Sequence, residues 1–272
     1  MADSRAIGIF DSGLGGLTVA KEIMKLLPNE NIVYFGDTGR VPYGTRSAAT
    51  IQKYASEDER FLLSKDVKLI VAACGTVSSV AANTAKDLPV PFIEVISHSV
   101  DAAVKNTKNN KIGILATAAT IRSGAHKRMI MERLPGAQVV ESSGTLLVPL
   151  VEEGWTDKED SVVLQTVQRY VEEMKRVGVD TVIMGCTHFP VLAEAISEVM
   201  GQDVFLVNMG VATANAVRRL LEETDALNEG LSHADHKFFV SDRTAAFEST
   251  ASVLLGEKID NFIVEQVDIN KL

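Results

Sequence analysis

The sequence predicts an α/β protein with mostly parallel sheets, and three observations lead to that fold class. Short apolar runs rich in β-branched residues alternate along the chain with longer stretches of helical character. Most of these runs are apolar throughout, which is typical of parallel strands covered by helices on both faces. The length of 272 residues suits one large domain or two domains of ordinary size, each with its own core.

The strands can be placed in order from these runs and the turn residues that flank them. The first strand is predicted at residues 6–10, and the helix after it covers residues 16–27 and ends before Pro28. Further strands are predicted at residues 31–35, 67–73, 92–96, 111–116, 137–141, 179–184, 204–207, 237–240 and 261–264. Ligands bind at the carboxyl ends of such strands, so the loops that follow them are the candidates for a functional site.

Charge and hydropathy exclude several classes of function. The formal net charge is −9, from 27 basic and 36 acidic residues. A negative protein is repelled by phosphate backbones and anionic lipids, so we expect neither nucleic acid nor a membrane as its partner. The amino terminus lacks the basic and apolar regions of a signal peptide, and no apolar run approaches the roughly 20 residues of a membrane helix. A cytoplasmic location is therefore expected.

The chain has two cysteines, and their surroundings repeat. Residues 67–73 form an apolar run that leads into Cys74, and residues 179–185 form a run of the same length that leads into Cys186. A threonine and then a helical stretch follow each cysteine. The repetition predicts two related α/β halves that face each other, although strand–turn–helix units could also merely look alike. Neither cysteine belongs to a CxxC pair and a reducing cytosol disfavours a disulfide, so no metal site or disulfide is expected.

Each cysteine lies where a strand ends and a helix begins. Backbone N–H groups and the helix dipole favour the thiolate at such a position. The alternative is that each is a small buried apolar residue, as free cysteines usually are. His188 shares a tight turn with Cys186 and is the nearest candidate base, although a lone histidine is more often structural.

The turn after the first strand carries Asp11 and Ser12 among glycines. It is either a capped glycine turn or an anion cradle of N–H groups at a helix start. Its glycines give neither the GxGxxG of a dinucleotide site nor a P-loop.

Other loops leave similar alternatives open. Residues 36–44 form either an ordinary β-to-α connection or a ligand-contacting loop. Thr117 and Thr120 could cap a helix or could offer hydroxyls to a carboxylate. Glu152 is a surface acid unless the fold brings it to a cleft.

Taken together, these segments resemble the glutamate racemases of the aspartate/glutamate racemase superfamily. The matching segments, in the family's order, are residues 8–19, 34–38 with 42–44, 73–74, 113–117 with 120, and 185–190. The resemblance implies two flavodoxin-like parallel-sheet domains related by a pseudo-twofold axis, with the active site between them. Residues 1–97 together with 208–272 would build the first domain, and residues 98–207 the second.

The resemblance also implies roles for individual residues. One cysteine would lie on each face of the substrate α-carbon, with Cys74 acting on the D-isomer and Cys186 on the L-isomer. The auxiliary residues it implies are Asp11 beside the first cysteine, His188 beside the second, and as further candidates Asp37 and Glu152. The substrate-binding positions it implies are Ser12, Tyr43, Gly44, Gly75, Thr76, Thr117, Thr120 and Thr187.

At one of these positions the chain departs from the family. The family usually has Cys-Asn-Thr, whereas this chain has Cys74-Gly75-Thr76. The contact that the asparagine makes with substrate is therefore lost or supplied otherwise, which leaves the choice of substrate open.

Racemisation explains why such residue types are needed. A thiolate base removes the α-proton from one face and a thiol acid returns a proton to the other. Without pyridoxal phosphate, hydrogen bonds from hydroxyls and backbone N–H groups must stabilise the carbanion. We therefore expect no cofactor and no metal.

Three functions follow from the sequence. The first is cofactor-independent interconversion of L- and D-glutamate, which supplies D-glutamate for peptidoglycan, by an enzyme that we expect to be a homodimer. The second is racemisation of another amino acid such as aspartate, motivated by Gly75. The third is a non-catalytic binding protein on the same fold, against which stands the retention of both cysteines together with Asp11 and His188.

Overall fold

A computed structural model describes residues 3–80, 84–230, 234–258 and 262–269 of the chain. These residues form ten strands in two sheets. The strands are β1 (Ile7–Asp11), β2 (Ile32–Gly36), β3 (Leu69–Ala72), β4 (Phe92–Glu94), β5 (Lys111–Ala116), β6 (Gln138–Ser143), β7 (Thr181–Gly185), β8 (Phe205–Asn208), β9 (His236–Val240) and β10 (Ile263–Gln266).

Helices connect most of the strands and cover the sheets. They are α1 (Leu17–Leu26), α2 (Ala48–Leu63), α3 (Gly75–Val80), α4 (Val95–Asn106), α5 (Ala118–Ser123), α6 (Ala125–Arg133), α7 (Leu147–Glu152), α8 (Ser161–Val177), α9 (Ala193–Met200), α10 (Met209–Glu223) and α11 (Phe247–Leu255). Among the described residues, no helix is long and apolar enough to span a membrane.

Both sheets are parallel throughout and share a strand order. The first sheet has the order β10-β9-β2-β1-β3-β4, and the second has the order β6-β5-β7-β8. The run β2-β1-β3-β4 of the first sheet therefore has the same pattern as the whole of the second. This confirms the predicted class of two α/β units, and it places each cysteine directly after the third strand of its own unit.

The predicted strands agree with the observed ones to within a few residues. β5 has the predicted bounds, whereas β3 is shorter than residues 67–73 because its register with β1 begins at Leu69. The predicted start of the last strand, Asn261, lies outside the described residues, and β10 begins at Ile263. Strand ends shift in this way because flanking residues continue the apolar pattern without joining the ladder.

The order of the sheets along the chain follows the predicted division. The first sheet takes its strands from the beginning and end of the chain, and the second takes β5 to β8 from the middle. The expected boundaries themselves stay a prediction. The boundary at 97/98 falls inside α4, and that at 207/208 falls at the last residue of β8.

Local sequence signals fix the start of β7, the strand that precedes the second cysteine. Asp160 caps α8 by accepting the N–H groups of Val162 and Val163 at 2.7 and 3.2 Å. The helix ends at Gly178, which adopts φ +75° and donates its N–H back to the last turn. Asp180 then accepts the backbone N–H groups of residues 108 and 109, which ties the start of β7 to the loop before β5. These contacts hold β7 in register beside β5.

Candidate active site

A cavity of about 500 Å³ opens between the two units at the carboxyl ends of their strands. Its walls come from both units, as expected for a site between related halves. Twelve of the residues singled out in the sequence line it: Asp11, Ser12, Tyr43, Gly44, Cys74, Gly75, Thr76, Thr117, Glu152, Cys186, Thr187 and His188. Asp37 and Thr120 are not among the lining residues.

Cys74 shares its side of the cavity with Asp11 and Ser12. Asp11 is the last residue of β1 and is 2% exposed. Its Oδ2 accepts the N–H groups of Gly13 at 3.2 Å and Gly16 at 3.0 Å, which holds the glycine turn closed. The Oγ of Ser12 lies 3.2 Å from the Sγ of Cys74. Asp11 therefore caps the turn and also stands beside the thiol.

The environment of Cys74 favours the neutral thiol. Burial, and after it the carboxyl group of Asp11, raises the pKa of Cys74 to about 12, although hydrogen bonds from Ser12 and the backbone oppose the rise. Burial likewise raises the pKa of Asp11. The expectation that a strand-end position favours a thiolate is therefore wrong for Cys74 in this structure, because desolvation outweighs the helix start.

Cys186 has a different set of neighbours. Its Sγ lies 3.8 Å from Nδ1 of His188, and Nε2 of His188 lies 3.2 Å from Oε1 of Glu152, the last residue of α7. Burial alone would lower the pKa of His188, but the contacts with Cys186 and Glu152 outweigh it and raise the pKa to about 10. At neutral pH an imidazolium therefore stands beside Cys186.

Glu152 is brought to the cavity by the fold, which resolves the alternative left open by the sequence. α7 ends against the first unit, where Thr250 of α11 donates its hydroxyl to the backbone carbonyl of Glu152 at 3.3 Å. The carboxylate then reaches His188. The two cysteines are thus set in unlike surroundings, one beside a buried carboxyl group and the other beside a protonated histidine.

Threonine hydroxyls connect the two walls. Thr76 of the first unit lies 3.2 Å from Thr117 of the second, measured between the hydroxyl oxygens, and Thr117 lies 3.0 Å from Thr120. Thr117 also caps α5, which confirms the first of its sequence-based interpretations, and its contact with a carboxylate stays a prediction. Thr120 is 1% exposed and supports Thr117 from behind.

The loop after β2 lines the cavity with residues 41–45. The hydroxyl of Tyr43 is engaged by Asp37 and Asp58 beneath the loop. The carbonyl of Gly44 accepts from Arg122 of the second unit at 3.3 Å. Asp37 is fully buried and bonds to Arg40, Tyr43 and Ser241. It lies beneath the loop and supports it.

Larger apolar residues also line the cavity, and those from the second unit carried no signal in the sequence. They are Val41 and Pro42 from the first unit and Val148 and Pro149 from the second. Apolar side chains in a linear sequence look like core residues, so only the packed structure distinguishes them. Within the described ranges, no group of three or more His, Cys, Asp or Glu side chains forms a metal site.

Two glycines of the first unit allow close contact with the turn of the second unit that contains Cys186. A Cβ on Gly15 would lie 2.6 Å from Nδ1 of His188. A Cβ on Gly75 would lie 2.9 Å from the carbonyl oxygen of Gly185, the residue before Cys186. Between them, Thr18 donates its hydroxyl to the carbonyl of Thr187 at 2.8 Å. Gly75 therefore fits this chain because its unit approaches too closely for a larger residue.

Three kinds of comparison with known proteins point to one family. The family model described as Asp/Glu/Hydantoin racemase matches residues 15–217. Curated proteins named glutamate racemase are similar over almost the whole chain. That from Geobacter metallireducens is 41% identical over 268 residues, covering 98% of each chain. That from Neisseria meningitidis serogroup A is 42% identical over 270 residues, covering 98% of this chain and 97% of the relative.

The fold agrees with a solved structure as well. The crystal structure of glutamate racemase from Francisella tularensis in complex with D-glutamate matches with a TM-score of 0.90 at 34% identity. The match covers 99% of this chain and 100% of that chain.

We expect His188 to keep its proton through neutral pH. In an NMR titration of the histidine rings, one resonance should have its midpoint near the pKa of about 10, and His188→Asn should remove it. His98, His126 and His236 serve as internal controls, because burial lowers the pKa of each below its ordinary value of 6.5. A midpoint near 6.5 for the resonance lost in the variant would contradict the expected ion pair.

The same shift sets the sign of a pH effect on stability. Because the pKa of His188 is raised from 6.5 to about 10, its proton stabilises the fold fully below pH 6.5 and progressively less as the pH rises to about 10. The difference in free energy of unfolding between the parent and His188→Asn should shrink across that window.

Gly75→Ala should destabilise the protein, although alanine is the better helix former. The new Cβ would meet the carbonyl oxygen of Gly185 at 2.9 Å, and overpacking of this kind costs about 1–3 kcal/mol. Gly44→Ala is the control, since no atom lies within 4 Å of its added Cβ, and a change within about 0.5 kcal/mol is expected there. Urea unfolding measures both. Equal stabilities for the two variants would show that the contact does not limit the approach of the units.

Proposed function

The chain belongs to the Asp/Glu/Hydantoin racemase family, and we propose that it interconverts L- and D-glutamate by proton transfer between two cysteines at the α-carbon. One observation carries the proposal. The side chains of Cys74 and Cys186 line a single cavity from opposite units, each directly after the third strand of its sheet. A carbon centre bound between them would present one face to each sulfur. The relatives named glutamate racemase support glutamate as the substrate.

In the direction from L to D, the surroundings suit Cys186 as base and Cys74 as acid. Cys186 as a thiolate, paired with the imidazolium of His188, takes the α-proton, and its S–H bond forms as the C–H bond breaks. The Cys74 thiol then gives its proton to the opposite face of the carbanion and is left as the thiolate. The raised pKa of Cys74 keeps that proton in place until the carbanion forms.

In the direction from D to L, Cys74 must first lose its proton. Asp11 is the buried carboxyl group beside it and Ser12 is in contact with its sulfur, so these two residues are the candidates for the relay. Once formed, the Cys74 thiolate removes the proton of the D-isomer, and Cys186 with His188 and Glu152 returns one to the other face. The two directions therefore use the same two cysteines with their roles exchanged, and each cysteine has its own auxiliary groups.

The carbanion needs stabilisation at its carboxylate. Ser12, Thr76 and Thr117 offer hydroxyls on the cavity wall, and the backbone N–H groups of the reactive turns offer further donors. The chain lacks the amide side chain that the family usually has after the first cysteine. We propose that the Thr76–Thr117 pair, with hydroxyl oxygens 3.2 Å apart, takes over that contact.

The wider role is part of the same proposal. Production of D-glutamate in the cytoplasm would supply peptidoglycan synthesis, as the resemblance to glutamate racemases implies. A homodimeric state and the absence of a cofactor also stay predictions.

The substrate is tested by circular dichroism with L-glutamate and L-aspartate, without added cofactor. We expect racemisation of glutamate with kcat/KM about 10–200-fold above that for aspartate, since one missing methylene is worth that range. A preference for aspartate would favour the second hypothesis. If the circular dichroism signal of neither amino acid decays, the third hypothesis, a non-catalytic binding protein, would be favoured.

The two-cysteine mechanism is tested by Cys74→Ala and Cys186→Ala in D₂O. Each change removes one of the two proton carriers, so racemisation should fall by at least about 10²–10⁴-fold in either variant. Slow deuterium uptake at the α-carbon should survive for L-glutamate in Cys74→Ala and for D-glutamate in Cys186→Ala, because one base remains for each. Mass spectrometry measures uptake. Full racemisation by both variants would eliminate the mechanism.

A further inference from the structure

The loop after β2 lines the cavity, and part of its support comes from another element. Residues 41–45, here called the rim segment, line the cavity together with residues of the second unit. The Gly44 carbonyl accepts from Arg122 of that unit. The rim segment belongs to the first unit and contacts the second. The residues that hold it in place therefore set the shape of this side of the cavity.

Beneath the rim segment lies a compact cluster of charged side chains. Arg40 donates from Nε to Oδ2 of Asp37 at 2.5 Å, from Nη2 to Oδ1 of Asp58 at 2.8 Å, and from Nη1 to Glu57. Its guanidinium also lies over the ring of Tyr54, 4.1 Å from the centroid. Asp37 and Arg40 precede the rim segment in the chain, whereas Asp58 and Glu57 belong to α2.

Asp58 is the member of the cluster that reaches the rim segment from another element. It is fully buried, with Oδ1 on Arg40 and Oδ2 3.3 Å from the hydroxyl of Tyr43. The carboxyl group of Asp58 thus contacts both Arg40, the residue before the rim segment, and Tyr43 within it. Tyr43 itself is 1% exposed, so its buried ring anchors the rim segment in the first unit.

We propose that Asp58 is a positioning residue that holds the rim segment over the cavity through Arg40 and Tyr43. It lines no part of the cavity and takes no part in proton transfer. The proposal deepens the proposed function, because a fixed rim segment would present the backbone of Tyr43 and Gly44 to the substrate in one arrangement.

The charges of the cluster indicate which form of Asp58 does this. Three carboxyl groups, of Asp37, Glu57 and Asp58, face a single guanidinium, and burying that excess of negative charge is costly. Burial, and next the charge of Asp37, raises the pKa of Asp58 well above its usual range, while Arg40 opposes the rise. This shift of the pKa favours the neutral acid form of Asp58. The Tyr43 hydroxyl is within hydrogen-bond reach of both Asp37 and Oδ2 of Asp58, so the two carboxyl groups share this hydroxyl as a partner.

Two variants of Asp58 separate these features. Asp58→Asn keeps the shape of the neutral acid, with an oxygen for Arg40 and an N–H for Tyr43. Its amide-exchange rates across residues 41–46 should match those of the parent within about twofold. Asp58→Ala removes both contacts. Amide exchange across residues 41–46, followed by deuterium uptake, should then quicken by about tenfold, which corresponds to about 1.4 kcal/mol.

Glu59→Ala is the matched control. Glu59 is the neighbour of Asp58 on α2 and is also buried, but its carboxylate accepts from Thr84 at 2.7 Å instead of facing the rim segment. It should lose stability without faster exchange at residues 41–46. Equal exchange in Asp58→Ala and Glu59→Ala, or an Asp58→Asn variant as mobile as Asp58→Ala, would overturn the proposal.

The exchange measurement needs no substrate, so it stands even if the proposed function fails. With active enzyme, Asp58→Ala should raise the KM for glutamate by about tenfold while kcat changes less than threefold, since the reacting groups stay in place. Glu59→Ala and Asp58→Asn should keep the parent KM. A fall in kcat alone, with KM unchanged, would contradict a positioning role.

Discussion

The architecture depends on direct contact between the two cysteine-containing regions, which follow strands of different sheets. Gly15 and Gly75 bring the backbone of the first unit against residues 185–188 of the second, and Thr18 fastens the two with one hydrogen bond. A side chain at either glycine would intrude on that contact. Because the packed interior yields little, these close contacts fix the separation of the two sulfur-bearing turns.

Within this frame the two units are alike in topology and unlike in electrostatics. The shared strand order puts Cys74 and Cys186 at equivalent positions, yet one lies beside a buried carboxyl group and the other beside a protonated histidine. Duplicated strands thus supply the symmetry, and the residues that follow them break it. Such asymmetry suits a catalyst whose two half-reactions start from mirror-image substrates.

The sequence predicts the sheets well because buried parallel strands are recognisable as apolar runs. It predicts both cysteines as candidate site residues because each follows the end of such a run. It could not decide on Glu152, since only the end of α7 against α11 turns that acid toward His188. Nor could it show that the hydroxyl of Tyr43 faces away from the cavity, because Asp58 lies 15 residues further on in another helix. The sequence also could not predict the raised pKa of Cys74, since the burial that causes it is a property of the assembled core.

The first sheet combines strands from both ends of the chain, and this affects how the protein folds during synthesis on the ribosome. The second sheet is continuous, from β5 to β8, and its partners are all available once residue 208 has emerged. The first sheet must wait, because β2 pairs with β9, joining Ile32 to His236 across most of the polypeptide. During synthesis the edge of β2 therefore stays without its final neighbour, and this long-range closure is the step at which chain entropy weighs most.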